Sequence, residues 1–417
     1  MAEHRTPHHA ERLTTQQVAE LLGVKVETVY AYASRGQLSS ERAPGGKGST
    51  FDAREVAALA GRTRRPARQV ADEPVTVRTG LTLIEGGRLY YRGVDVVELS
   101  RRHGFEAAVG WLWGRGTDPG VTLRAPAALT AVLARAADAL PAQTRLPDRL
   151  RVSVAVASSA DPLRFDLREE NVLSIGAGLI AAMVESLPPA GSAVRGDSSL
   201  AARLWTRLTP VPPAPGAVAC LDRALVLMAD HDLAVSTVAA RVAASARAHP
   251  YAVVSAGLGA LDGPLHGAVG SLAYRLLSEV LASGDAVQVV SEYLRTGRSI
   301  PGLGIRVYPE GDPRAAALLS SMRQLPDSDR VLHAVEAVVR AAAGPAGAAE
   351  QPGLRPSVDL ALAAFALAVG MPAEAGEVVV AVARTAGWLA HAVEEYREEP
   401  LRMRAHGIYT GPPPEGS

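Results

Sequence analysis

At 417 residues, with 48% hydrophobic and 21% charged side chains, the chain is long enough for a large core and for more than one domain. Lys+Arg and Asp+Glu are both 43, so the whole chain has no polyelectrolyte character, and its single cysteine, Cys220, excludes an intrachain disulfide and a cysteine-based zinc cluster. No run of 18 or more uncharged apolar residues reads as a membrane span, and the polar, His-rich start does not read as a signal peptide, so the expected compartment is the cytoplasm. Abundant alanine with only 4% aromatic residues favours closely packed helices, among which Cys220 packs as a small apolar residue.

Residues 1–11 are polar and carry no periodicity. Thr14 or Thr15 then caps a short helix that turns Val18, Leu21 and Leu22 inward and stops at Gly23. A second helix runs from Lys25 or Val26 to Ser34 and is closed by Gly36. Ser39 to Phe51, around Gly45-Gly46-Lys47-Gly48, reads as a β-hairpin wing, and Ala53 to Leu59 as a last helix. Two short helices about a glycine turn, through Leu22-Gly23-Val24, Thr28-Val29-Tyr30-Ala31-Tyr32 and Gly36, make the segment similar to the winged helix-turn-helix of the MerR and excisionase type. Residues 1–70 hold eleven Lys/Arg against seven Asp/Glu, partly in Arg62, Arg64, Arg65 and Arg68, which suits phosphate contact. On the second helix, Lys25, Thr28, Tyr32 and Arg35 are the candidate DNA-contacting residues. A small packing or oligomerisation unit is the other reading of the same segment. A winged helix-turn-helix is thus expected over residues 1–65 and a linker over 66–78, where Pro66 and Pro74 disfavour helix.

Thr76 to Gly93, with four glycines around Leu83-Ile84 and Leu89-Tyr90-Tyr91, reads as short strands and turns. From Val94 onward helical periodicity dominates, as in Phe105, Ala108, Val109 and Leu112 on one face. Helices are expected near Ala127–Ala139, Val172–Glu185, Ser198–Leu208, Ala217–Met228 and Ser236–Arg247. Neither βαβ alternation nor a Walker loop nor a dinucleotide fingerprint is present, so the body is expected to be all-α.

Five stretches of this body carry residue types that do chemistry. Leu261-Asp262-Gly263-Pro264-Leu265-His266-Gly267 brackets His266 between glycines and a proline, which set its direction; a histidine so held can donate to a substrate, or simply cap a helix. Ala229-Asp230-His231-Asp232 places a histidine between two acids, and Pro301-Gly302-Leu303-Gly304-Ile305-Arg306-Val307-Tyr308 is a glycine-rich loop. It leads to Gly311-Asp312-Pro313-Arg314, where Asp312 caps a helix and Pro313 takes its first position. Pro356-Ser357-Val358-Asp359 sets one acid before the apolar helix Leu360 to Val369, and Arg384, Arg402 and Arg404 lie close to helix ends.

In this order and spacing, from Gly80-Leu81-Thr82 and Leu89-Tyr90-Tyr91-Arg92-Gly93 to Tyr409-Thr410-Gly411, these motifs resemble the citrate synthase family over residues 79–411. The resemblance implies a mostly helical homodimer with a large domain (79–262 and 365–417) and a small domain (263–364) that close over oxaloacetate and acetyl-CoA. It implies that Asp359 takes a proton from the acetyl methyl group while His266 hydrogen-bonds the thioester oxygen. A weakly acidic carbon needs such a placed base and a donor where oxyanion charge develops. His231, Arg314, Arg384 and a C-terminal arginine would form the dicarboxylate clamp. Counting back from Tyr409 makes that last residue Arg404, reaching in from the partner subunit, with Arg402 the fallback. Pro301, Gly302, Leu303 and Gly304 would receive the CoA adenine. CoA enters as co-substrate, with no tightly bound cofactor, metal or membrane contact expected.

The departures matter. The family pattern has a second catalytic histidine directly after the Gly-x-Gly of the glycine-rich loop, and here the residue is Ile305, which has no donor. Losing one oxyanion donor costs roughly 10²–10³ in turnover. His249 and His333 lie outside the matched motifs. Ala234 stands where relatives have an Asn, and Ala405 where a Pro follows the clamp arginine. Two readings follow: an acyl-CoA condensing enzyme, slowed or altered by Ile305, or an impaired homologue that senses a metabolite and reports it through the DNA-binding unit.

Overall fold

The computed structural model describes residues 12–22, 24–42, 48–63, 77–195, 198–344, 354–404 and 410–411. The chain divides into two compact units, Met1–Val77 and Arg78–Ser417.

In the first unit, β1 (Arg12–Thr14) precedes α1 (Thr15–Leu22) and α2 (Val26–Ser34), followed by β2 (Ser40–Arg42), β3 (Ser49–Asp52) and α3 (Ala53–Thr63). The expected wing is the antiparallel pair β2–β3, with Ser40 opposite Phe51. A third strand that the sequence reading did not anticipate, β1, pairs on the other edge of β3, with Leu13 opposite Phe51. Val18, Val29, Leu38, Phe51 and Val56 are fully or almost fully buried and form this unit's own core. Of the two threonines expected to cap α1 it is Thr14 that does so, and it exchanges hydrogen bonds with Gln17 in a reciprocal cap. Gly23, the wing tip Ala43–Lys47, Arg64, Arg65, Arg68 and residues 66–76 of the expected linker lie outside the described residues.

The second unit opens with the antiparallel sheet β4 (Thr82–Glu85), β5 (Arg88–Tyr91) and β6 (Val94–Asp95). Fifteen helices follow among the described residues: α4 (Val96–Arg102), α5 (Phe105–Leu112), α6 (Ala127–Asp138), α7 (Leu146–Ala160), α8 (Glu169–Glu185), α9 (Leu200–Leu208), α10 (Ala217–Met228), α11 (Val235–Ser245), α12 (Pro250–Leu261), α13 (Val269–Ser283), α14 (Ala286–Arg295), α15 (Pro313–Met322), α16 (Asp329–Ala343), α17 (Val358–Ala368) and α18 (Ala375–Tyr396). The body is helical, as its periodicity implies. No helix among the described residues is long and apolar enough to cross a membrane.

The centre of this body is α18, buried on nearly every face, as its small and apolar composition requires. It packs on α8, α10, α11, α12 and α17. Gly387 is what lets it approach the end of α10: its N–H donates to the Ala229 carbonyl at 3.1 Å, and a Cβ there would lie 2.5 Å from that oxygen. The central helix therefore sits directly against Ala229-Asp230-His231. Cys220 is buried in α10, where desolvation pushes its thiol up to about 12, so it is packing rather than a nucleophile.

Candidate active site

Three separate stretches meet at one cavity of about 650 Å³. Its lining includes His266, Pro301 to Ile305, and Asp359. The joint between the last two stretches is made by the backbone: the Gly304 N–H donates to the Arg355 carbonyl and the Ser357 N–H to the Gly302 carbonyl, each at 2.8 Å. Gly302 has φ of +79° and a Cβ there would meet Leu360 Cβ at 2.7 Å, so only glycine lets the loop lie flat on the start of α17. Ile305 is consequently held in the same wall as Asp359 and His266.

Asp359 is the second residue of α17, its Oδ2 within 3.3 Å of Ser357 Oγ. Desolvation raises its carboxyl to about 6, even though Arg314 nearby pulls it down. It is ionised at neutral pH yet a stronger base than an exposed carboxylate. His266 follows α12 in a turn where its N–H donates to Gly263 O at 2.9 Å and its Nε2 lies 2.8 Å from Ser236 Oγ. Desolvation, with Arg384 adding to it, lowers His266 to about 4, so the imidazole is neutral and offers an N–H donor.

His231, Arg314 and Arg384 do not line that cavity; they gather behind it. Arg314 is 2% exposed and held by Asp312 through Nε–Oδ1 at 3.0 Å and Nη2–Oδ2 at 2.9 Å. The same carboxylate caps α15 at Arg314 N and accepts from Val358 N at the start of α17, both at 3.0 Å. One buried aspartate thus fixes both Arg314 and the helix that carries Asp359. His231 Nε2 lies 3.0 Å from the Tyr308 hydroxyl. Burial, then the positive fields of Arg314 and Arg384, holds His231 well below its usual pKa, so it too is neutral.

Arg384 differs from Arg314 in one respect. It is 2% exposed, and its Nε donates to the Met228 carbonyl at 2.9 Å, but its two Nη groups have no hydrogen-bond partner among the described residues. A buried guanidinium with open donors, next to a second arginine and a neutral histidine, has the chemistry to pair with an anion.

Next to Arg384 runs a buried charged network that sequence reasoning did not find. Asp230 accepts from Thr82 Oγ1 and pairs with His391 Nε2 at 3.2 Å, while its N–H donates to the Tyr91 hydroxyl at 2.9 Å. Burial pushes the Asp230 carboxyl up, but His391, Arg384 and Thr82 outweigh it and hold the group below its ordinary value. Arg241, fully buried, reaches His391 Nδ1 at 2.7 Å, Glu394 at 2.9 Å and Glu395 at 3.1 Å. Arg402 is bidentate to Glu395 at 2.8 and 2.6 Å. The fallback clamp residue is therefore committed elsewhere. Arg404 is exposed, and no contact with Arg314, Arg384 or His231 is seen for it among the described residues; Ala405 and Tyr409 lie outside the described residues. His249 caps α12, its Nδ1 accepting from Ala252 N at 3.1 Å, and His333 lies within α16. Among the described residues no group of three His, Cys, Asp or Glu side chains could hold a metal ion.

In the first unit, Lys25 and Arg35 flank α2 and are exposed, whereas Thr28 is half-buried and Tyr32 packs against the small core, which leaves less of that ring for a partner. Tyr30, not singled out from sequence, is 48% exposed. Arg12 is paired with Glu41 at 2.9 Å.

Residues 72–405 match the family model described as citrate synthase, C-terminal domain, and residues 12–64 match a helix-turn-helix domain. Among similar proteins, the citrate synthase of Haloferax volcanii is 30% identical over 355 residues, 79% of this chain and 92% of that protein. The 2-methylcitrate synthase 1 of Corynebacterium glutamicum is 26% identical over 354 residues, 78% of this chain and 90% of its own. The crystal structure of citrate synthase from Thermotoga maritima superposes with a TM-score of 0.65 at 25% identity, covering 82% of this chain and 96% of that one.

Proposed function

The chain belongs to the citrate synthase family, as an acyltransferase of that type joined to a helix-turn-helix segment, and from that membership we propose that it condenses acetyl-CoA or another short acyl-CoA with oxaloacetate, releasing CoA. In this reading the Asp359 carboxylate takes a proton from the acyl α-carbon, and the neutral His266 donates to the thioester oxygen as the enol forms. A base near pKa 6 and an uncharged donor beside it are matched to a weakly acidic carbon at neutral pH. Arg314, Arg384 and His231 hold the two carboxylates of the keto acid, and the backbone of Pro301 to Gly304 receives the adenine of CoA. Residues 263–364 act as the small domain that closes on the rest. Arg404 completes the clamp of a second copy in a homodimer.

The observation that carries this reading is Arg384, buried with both Nη groups open beside Arg314 and His231. Oxaloacetate titrated calorimetrically into the wild-type chain is expected to bind. The Arg384→Lys variant keeps the charge but loses the planar fork, and is expected to bind roughly 10-fold or more weakly. No binding to the wild type, or equal binding to both, contradicts the clamp.

Ile305 in the cavity wall, with a helix-turn-helix segment on the same chain, supports a second reading: a slowed homologue that binds the same metabolites and regulates through DNA, using Lys25, Thr28, Tyr32 and Arg35. Salt-sensitive, sequence-specific binding to DNA, altered by oxaloacetate or citrate, would favour it over catalysis.

A further inference from the structure

Ile305 offers no hydrogen-bond donor at its own place in the cavity wall, yet the same loop supplies one three residues later. The Tyr308 N–H donates to the Ile305 carbonyl at 3.1 Å, and the Gly311 N–H to the Tyr308 carbonyl at 3.0 Å. These two turns fold the loop back on itself and bury Tyr308 to 1% exposure, a wholly enclosed phenol inside a connection that is otherwise half open. Its hydroxyl lies 3.0 Å from His231 Nε2, and the Arg314 guanidinium carbon lies 5.6 Å from its ring centroid. Arg384 is close enough to act on both Tyr308 and His231 electrostatically. The phenol therefore stands among the three side chains assigned to the dicarboxylate. It is the one uncharged hydroxyl donor in that group.

We propose that Tyr308 is a catalytic residue of this chain, donating its O–H to the keto oxygen of the bound oxo-dicarboxylate in the role that Ile305 cannot fill. The proposal rests on the condensation reading above. With His231 protonated at Nε2, the imidazole gives its one N–H to the phenol oxygen, so it orients Tyr308 and leaves the carboxylates to Arg314 and Arg384, and the phenol proton is free to turn to the substrate. Desolvation raises the phenol above its usual pKa, so it remains a donor at any working pH. When the new C–C bond forms, the carbonyl π pair moves onto the keto oxygen and the phenol proton follows it. The phenolate, facing Arg314, regains a proton from water, while the methyl proton taken by Asp359 returns to water. Bond making and proton count then balance.

The test is Tyr308→Phe, which deletes one oxygen and keeps the packing. Loss of a donor to a developing oxyanion is expected to lower kcat roughly 10²-fold or more, with KM for oxaloacetate changed only a few-fold. The double variant Tyr308→Phe with Ile305→His restores a donor in the same loop and is expected to recover most of the loss. The infrared carbonyl stretch of oxaloacetate bound to the wild type is expected below that of free oxaloacetate, and to return toward the free value in Tyr308→Phe. A KM effect without a kcat effect would make Tyr308 a packing partner of His231 and overturn the proposal. An unmoved carbonyl stretch would overturn it as well. Absence of Asp359-dependent CoA release in the wild type would sink the condensation reading and this proposal together; retained turnover in Tyr308→Phe would sink this proposal alone.

Discussion

Replacing Asp359 by Asn should abolish turnover and, at neutral pH, make the protein more stable. The carboxyl has an ordinary value of 3.8 and is raised to about 6 in the folded chain, chiefly by desolvation. The difference of about 2 pH units corresponds to at most about 3 kcal/mol by which the ionised group opposes folding. For an acid raised on folding, the cost is absent below the unfolded pKa, builds as pH rises from about 4 to 6, and is complete above that. Asn is nearly the same shape, is neutral throughout, and its side-chain oxygen can still accept from Ser357 Oγ. Urea unfolding of both proteins should therefore give the variant an advantage of about 3 kcal/mol at pH 7.5 that shrinks to about 1 kcal/mol at pH 4.5. In the active wild type, kcat should fall as pH drops through about 6. An advantage that is the same at both pH values, or a destabilised variant at pH 7.5, would refute the desolvation argument and with it the raised basicity of Asp359.

Glu395→Gln leaves the fully buried Arg241 with one fewer anion and also releases Arg402. Breaking one partner of a buried pair typically costs about 3–5 kcal/mol, which a lowered urea midpoint would register. Gly387→Ala puts a methyl group 2.4 Å from Asp230 Oδ1 and 2.5 Å from the Ala229 carbonyl, so it should push α18 off the Ala229–His231 segment. The expected result is a loss of about 1–3 kcal/mol in stability together with weaker oxaloacetate binding, read by melting temperature and calorimetry.

What could be read from the sequence was mostly what glycine and proline mark. The brackets around His266 and the loop Pro301–Gly304, together with the acid before an apolar run at Asp359, point to short stretches whose backbone is fixed locally, and these stretches meet at one cavity. Pairings across the chain were not legible. Nothing near Arg402 or Arg404 in the sequence says which is engaged; Arg402 is, by Glu395, a fully buried charge near the end of α18. Tyr308 stood in a motif already singled out, but its partner, His231, is 77 positions away. At the other end of the chain, β1 has three residues, too few for alternation to show, and exists because β3 offers it an edge. Tyr32 lies on the helix face expected to be open, yet the unit is so small that its ring is drawn into the core.

The most direct test of the central claim is CoA release from acetyl-CoA plus oxaloacetate by the purified full chain, with Asp359→Ala as the control. The condensation reading predicts measurable turnover that vanishes in the control. No turnover from the wild type, accompanied by a rise in melting temperature with oxaloacetate or citrate, would contradict it and leave a ligand-binding protein that no longer performs the chemistry.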